Sequence, residues 1–302
     1  MSHTSHRSGF VCVAGRPNVG KSTLVNRLVG APVSITTRKP QTTRTRILGV
    51  MHRPGAQAVL MDTPGIHEAT GALNERMVGY AAAALAEADL VLMMAEPFPP
   101  RWEEPGPQER LVLKMASAVP TPAILAVNKI DRASEDRVLR TLDWYGRTGR
   151  FTEIVPISAL KGKGVERLEA LIPSYLPEGP AYFEPGQTSD QSDAALIGEL
   201  VRQAVFRNTG QEIPYSTAVR IERIEQRKDL LVVEGRIFVE RESQKGILIG
   251  KGGSALKRIG RQARMRIEAL LGTRVYLGLH VAVLKDWSRD PRRLDELGYP
   301  EK

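Results

Sequence analysis

Over the first 176 residues, short runs of consecutive apolar residues alternate with longer stretches of helical spacing. The runs "FVCVAG", "TRILGVM", "AVLMDT", "DLVLMMA", "AILAVNK" and "EIVPIS" have the length of strands. Between them, Asn74 to Ala88, Gln108 to Ser117 and Val165 to Tyr175 carry apolar side chains three and four positions apart. A strand apolar at every position, not at alternate ones, belongs to a sheet covered on both faces. The alternation predicts an α/β domain with a mostly parallel, doubly wound sheet.

The pattern then breaks. Leu176 to Asp193, "LPEGPAYFEPGQTSDQSD", is rich in Pro, Gly, Ser and Asp and has no apolar period, so it reads as a linker. Beyond it, Ala194 to Asn208 has helical spacing, and "STAVRIERIEQ" and "DLLVVEGRIFVE" form a strand pair turning at "RKD". A short helix, a glycine cluster, a basic helix and the strand "RVYLGLHVAVL" complete the order α-β-β-α-α-β, a smaller α+β domain. The expected boundaries are a disordered tail at 1–8, a first domain at 9–176, a linker at 177–193, and a second domain with a C-terminal tail at 194–302.

Composition adds limits. The 302 residues are 42% apolar and 25% charged, as in an ordinary globular protein, and the net charge of +9 suggests an anionic partner. Cys12 is the single cysteine; it excludes an internal disulfide and reads as a buried strand residue. No run of about 18 apolar residues exists to span a membrane, and the N-terminus lacks the apolar core of a signal peptide. His3 and His6 read as part of a solvated tail, and no zinc spacing occurs.

"GRPNVGKS" fits G-x-x-x-x-G-K-[ST] from Gly15 to Ser22, between a strand and a helix. Backbone N–H groups of this loop, from Gly15 through Asn18, Val19 and Gly20 to Thr23, can close on phosphate oxygens at a helix N-terminus. Lys21 supplies a point charge and Ser22 a hydroxyl for magnesium. "NKID" follows about 110 residues later at a strand end. There the Asp131 carboxylate can accept hydrogen bonds from guanine N1 and N2, donors that adenine lacks. Asn128, Lys129 and the later "SAL" (Ser158, Ala159, Leu160) complete the guanine set. "DTPG" places Asp62, Thr63, Pro64 and Gly65 at the end of another strand, with Asp62 on magnesium through water and the Gly65 N–H at the γ-phosphate. A threonine from "ITTRKPQTTRTRILG" must also reach magnesium; Thr42 and Thr43 both qualify, and Thr43 is preferred. From Ala31 to Met61 the chain holds five Lys/Arg and no acid.

Where Ras-like GTPases carry a water-orienting glutamine after D-x-x-G, this chain has Ile66. Isoleucine cannot move a proton, so slow intrinsic hydrolysis is expected, resting on positioning and charge stabilisation. Asn18 has two readings, a shaper of the loop or, as resemblance to related GTPases with an asparagine here implies, a ligand of a potassium ion.

The second glycine cluster is Gly250-Lys251-Gly252-Gly253. It fails the Walker register by one residue and lacks the Ser/Thr. Gly250-x-Gly252-x-x-Ala255 matches a dinucleotide fingerprint, but not in the required strand–loop–helix setting. It fits the G-x-x-G loop of a KH domain, which clamps about four nucleotides of single-stranded RNA. Ile247 and Ile249 would floor the groove. Arg241 to Arg274 holds nine Lys/Arg against two acids, an electrostatic footprint for a polyanion. Lys251, Lys257 and Arg258 are the candidate backbone contacts.

With "PQTTRTRILG" and the C-terminal domain, this constellation resembles the Era family of bacterial ribosome-assembly GTPases over nearly the whole chain. The resemblance implies a P-loop GTPase domain followed by a type II KH domain. It also implies GTP, GDP and Mg2+ as ligands and, as partners, the 30S ribosomal subunit and the single-stranded 3′ end of its 16S ribosomal RNA. It implies a cytoplasmic location, with peripheral association at the inner face of the membrane as a reported family property; a monomer is expected. The rival readings are an RNA-binding protein in which GTP is structural, and a GTPase of transfer-RNA modification. The latter carries a modification domain and often a C-terminal cysteine, neither of which is seen here.

Overall fold

The computed structural model describes residues 6–210 and 212–301. The first unit runs β1 (Arg7–Gly15), α1 (Lys21–Val29), β2 (Ile47–Arg53), β3 (Ala56–Asp62), α2 (Ala72–Glu87), β4 (Leu90–Ala95), α3 (Pro107–Ser117), β5 (Ala123–Val127), α4 (Glu135–Gly146), β6 (Glu153–Pro156) and α5 (Val165–Leu171). The strands form one sheet in the order β2-β3-β1-β4-β5-β6, parallel except for β2 against β3. The continuous apolar runs have the predicted cause. In β1, Val11 and Val13 face one core while Cys12 and Ala14 face the other. In β4, Leu90, Leu92 and Met94 alternate in the same way with Val91, Met93 and Ala95. Burial pushes the Cys12 thiol pKa up to about 12, so it is a packing residue. Parallel strands bring Gly15, Asp62 and Asn128 together at the carboxyl end of the sheet, where such folds bind ligands.

The second unit contains α6 (Asp193–Asn208), β7 (Ala218–Arg227), β8 (Leu230–Val239), α7 (Glu242–Ile249), α8 (Ser254–Leu271), β9 (Arg274–Val283) and α9 (Pro291–Glu296). Its sheet has the order β7-β8-β9, antiparallel then parallel. One core gathers Val201 and Val205 of α6, Ile259, Ala263 and Ile267 of α8, and Val233 and Ile237 of β8.

Three expected boundaries shift. Of the tail expected at 1–8, residues 1–5 lie outside the described residues. Residues 6–8 are ordered: β1 begins at Arg7, Ser8 N–H donates to Pro177 O (3.0 Å) and Gly179 N–H donates to His6 O (2.9 Å). The linker is strapped to the first domain. Val50 N–H donates to Thr188 O (2.9 Å), and Gln57 accepts from Tyr182 N (2.7 Å) and Phe183 N (3.0 Å) while donating to Phe183 O (2.9 Å). Residues 7 and 8 extend the pairing of β1 with β3, and Arg7 N–H donates to Gly55 O (3.0 Å); along 182–188 the edge strand β2 and the buried Gln57 offer the partners that backbone groups need. The expected C-terminal tail is structured too. Trp287, Leu294, Leu297 and Tyr299 pack with Leu73 and Met77 of α2, which joins the two domains.

The segment between α1 and β2 is held between the domains. Ile35 belongs to the core of the second domain. Gln203 donates to Thr36 O (2.9 Å), Lys39 Nζ donates to Phe206 O (2.6 Å), and Arg202 donates to Thr42 O. Arg44 is 3% exposed and donates to Pro214 O (3.0 Å), Tyr215 O (2.7 Å) and Thr217 O (2.7 Å). Its guanidinium also lies over the rings of Trp287 (5.7 Å) and Tyr299 (5.9 Å). Burial lowers its pKa, yet the carbonyl acceptors keep a charge there tolerable. Arg44→Ala would leave those carbonyls without their donor, at a cost of about 2–4 kcal/mol. The expected result is a calorimetric transition that splits into two as the domains uncouple. Lys in place of Arg44 should not restore it, because one ammonium cannot reproduce the planar fork.

Candidate functional site

The loop after β1 curls over the start of α1, with Asn18 in the left-handed region at φ 62°. Lys21 is buried and folds back on the loop, Nζ donating to Gly15 O (3.0 Å) and Arg16 O (3.1 Å). Burial lowers its pKa to about 8, against the opposing pull of Asp62. A lysine held in this way is ready for an anion that replaces the carbonyls.

Beside it stand the three oxygen groups expected at magnesium. Ser22 Oγ lies 2.9 Å from Thr43 Oγ1, and Thr43 donates to Asp62 Oδ2 at 3.4 Å. Asp62 is fully buried and burial raises its pKa, while its Oδ1 has no hydrogen-bond partner among the described residues. One unsatisfied carboxylate oxygen and two hydroxyls are hard donors of the kind that Mg2+ takes alongside water and phosphate oxygens. The two threonines separate: Thr42 Oγ1 bonds Thr37 Oγ1 (2.7 Å) and Lys39 O (2.8 Å), away from Ser22. In the DTPG box, Thr63 instead donates to Val13 O at 2.8 Å and Pro64 is buried. Gly65 presses on the phosphate loop so closely that a Cβ would sit 2.6 Å from Pro17 N and Cα. Ile66 is fully buried in the core that includes Cys12 and Met61, and its N–H donates to Gly15 O (3.1 Å).

The base motif is cross-linked to the loop. Asn128 Nδ2 donates to Val19 O (2.7 Å), and Asn128 Oδ1 accepts from Ala159 N (2.8 Å). Ser158 Oγ donates to Asp131 Oδ1 (2.6 Å), leaving that carboxylate fixed in direction. Lys129 Nζ donates to Asn18 O (2.6 Å). Gly20, Lys21, Ser22, Thr23, Thr42, Thr43, Gly65, Asn128, Lys129, Asp131, Ala159 and Leu160 line a cavity of about 1000 Å³, large enough for a nucleoside triphosphate.

The second glycine cluster joins α7 to α8. Gly250, Gly252 and Gly253 all have positive φ (71°, 59° and 78°). A Cβ at Gly250 would meet Ala255 at 2.8 Å, whereas at Gly252 and Gly253 it would meet open space. The last two are glycines for their backbone, and their outer side is clear for a ligand to approach. Lys251, Lys257 and Ile247 are exposed and Ile249 is half-buried. Arg258 is exposed as well, but its Nε donates to Asn208 Oδ1 (2.8 Å) at the end of α6.

A family described as a 50S ribosome-binding GTPase matches residues 10–129, and a KH domain family matches 212–288. GTPase Era of Geobacter metallireducens is 47% identical over 301 residues, covering 99% of this chain and all of the relative. The chain belongs to the Era family of GTPases. GTPase Era of Heliobacterium modesticaldum is 46% identical over 297 residues, 98% of each chain. Among solved structures, Era in complex with MgGDPNP and nucleotides 1506–1542 of 16S ribosomal RNA aligns with a TM-score of 0.91 and 40% identity, over 98% of this chain and 99% of that one. A point variant of Aquifex aeolicus Era bound to GDP and AlF4− aligns equally well, over 97% and 99%.

This Era-family site includes residues that the motifs do not reveal. Phe206 and Arg207 of α6 line the cavity from the KH side. Arg27 braces the SAL loop through Ala159 O (2.6 Å) and Leu160 O (2.9 Å). None of the three sits in a recognisable pattern: Phe206 and Arg207 reach the cavity because α6 docks on the first domain, and Arg27 reaches the SAL loop through the tertiary fold of the first domain itself. Thr43→Ala is expected to raise the magnesium concentration needed for half-maximal GTP binding at least tenfold, and Thr42→Ala to change it less than threefold. Titration of magnesium against a fluorescent GTP analogue checks both.

Proposed function

We propose that the protein is a GTP-operated switch that binds the 3′ end of 16S ribosomal RNA through its KH domain and assists maturation of the 30S subunit in the cytoplasm. The observation that carries this reading is the double engagement of one segment. Thr43 meets Ser22 and Asp62 at the nucleotide site, and the adjacent Arg44 is clasped by the KH domain. Ordering Thr43 on a bound nucleotide therefore acts on the residue that docks the domains.

In this reading the loop from Gly15 to Thr23 cradles the phosphates, and Lys21 leaves its carbonyls for the terminal ones. Asp131, with Asn128, Lys129 and the loop Ser158 to Leu160, selects guanine. Ser22 and Thr43 would hold Mg2+ by their hydroxyls, with the Asp62 carboxylate beside them acting through water. Bound there, Mg2+ would neutralise charge on the phosphate oxygens. Ile66 takes no part in proton transfer, so hydrolysis is slow and its acceleration falls to positioning and charge, to which a potassium ion held at Asn18 would add. At the clamp, Gly250 to Gly253 admit the sugar-phosphate backbone while Lys251, Lys257 and Arg258 contact phosphates. The likeness to a solved Era carrying MgGDPNP and a 16S RNA fragment supports both halves.

Crosslinking of the GTP-loaded protein to small-subunit RNA is expected to map to the 3′ end. Gly252→Asp with Gly253→Asp should weaken that RNA at least tenfold and leave GTP affinity unchanged; unchanged crosslinking would refute the clamp. Single-turnover hydrolysis should be faster in potassium than in sodium, and equal rates would remove the ion from Asn18. Hydrolysis that stays undetectable even with ribosomal subunits present would reduce GTP to a structural ligand.

A further inference from the structure

We propose that Glu96, a residue outside every nucleotide-binding motif of the chain, positions Lys129 for recognition of the base. The proposal rests on the guanine-nucleotide reading of the cavity. Glu96 follows β4 directly, at the carboxyl edge of the sheet and between the two loops of the site. Its Oε1 accepts from Lys129 Nζ at 2.5 Å and lies 3.0 Å from Arg16 of the phosphate loop. One carboxylate thus ties the base motif to the phosphate motif.

Lys129 needs such a tie. Its backbone is in the left-handed region at φ 66°, an uncommon conformation for a residue with a side chain. Its ammonium is drawn to two acceptors, Asn18 O at 2.6 Å and Glu96. Anchored at both ends, the four-carbon stem is held along the cavity wall that it shares with Asp131 and Ala159. A flat base entering to meet Asp131 has that stem to pack on. The half-buried carboxylate also neutralises a cation that would otherwise stand uncompensated beside Arg16. Arg16 has a second acidic neighbour in Glu109, whose Oε1 lies 2.5 Å from its Nε as an ion pair, so the phosphate loop keeps a partner when Glu96 is changed.

The predicted defect is therefore specific to the base. Glu96→Gln should raise the Kd for GTP and for GDP about tenfold, as expected for loss of one charge-assisted hydrogen bond. KM should rise with kcat retained. Inorganic tripolyphosphate, which has phosphates and no base, should compete for the site with an unchanged inhibition constant. Glu96→Asp should recover part of the loss, and Glu96→Gln should add nothing further in a Lys129→Met background. Glu109→Gln, which leaves Lys129 alone, should bind GTP normally. The proposal is overturned if Glu96→Gln binds GTP as the parent does, or if it weakens tripolyphosphate as much as GTP, which would mark a general brace of the phosphate loop. Should Glu96→Gln fail to fold, Glu96→Asp carries the same comparison, and equal losses for GTP and tripolyphosphate there would also overturn it. A parent protein that binds tripolyphosphate but shows no preference for guanine nucleotides would instead overturn the underlying reading of the cavity.

Discussion

A buried cation holds this molecule together at its most consequential joint. Arg44 sits in the interior with three KH-domain carbonyls as acceptors and two aromatic rings beside it. A charge so far from water is stable only while all of these partners stay in place, so the clasp is cooperative. It fixes the segment after α1, fixes the start of β7, and recruits the C-terminal Trp287 and Tyr299. Thr43, one residue earlier, turns the other way toward Ser22 and Asp62. One peptide unit therefore separates the residue that meets Ser22 and Asp62 from the one that docks the second domain.

The two glycine loops work by different physics. The first surrounds its charge: Lys21 is buried, its pKa is lowered, and Asp62 keeps an unsatisfied oxygen, so the site is poised for a compact, highly charged ligand and metal. The second presents an exposed backbone at positive φ with open space beyond it, which suits a strand passing across the surface. Hydrogen bonds link the helix that follows the second loop to the segment between α1 and β2. Arg266 of α8 donates to Gln203 (2.9 Å), and Gln203 donates to Thr36 O (2.9 Å) in the segment that carries Thr43. Arg258 and Asn208 make a parallel contact at the end of α6 (2.8 Å). These contacts tie α8 and α6 to the segment that carries Thr43.

Much of this was legible along the chain because the signals are local. Apolar runs marked the strands of a sheet covered on both faces, and their order gave a P-loop domain followed by a KH domain. Motif spacing located Lys21, Ser22, Asp62 and Asp131, whose chemistry depends on residue type at a strand end. The left-handed glycines between α7 and α8 follow from the identity of the residue. Local signals stopped at the boundaries: the stretches 6–8 and 177–193 look like tail and linker by composition, yet 6–8 bond β3, Pro177 and Gly179, and Gln57 and the edge strand β2 hold backbone groups of 182–188.

What the sequence by itself determined was the set of elements and the chemistry available at each loop, since both arise from side chains within a few residues of one another. Tertiary structure decided which of these groups meet. It separated Thr43 from Thr42, which are neighbours of identical type, by turning one to Asp62 and the other to Thr37. It made Arg44 a clasp rather than one more basic residue in a basic segment. It also placed Glu96 between Arg16 and Lys129, which are more than a hundred residues apart. Periodicity and propensity carry no record of such pairings, because they are created when the strands assemble and the second domain closes on the first.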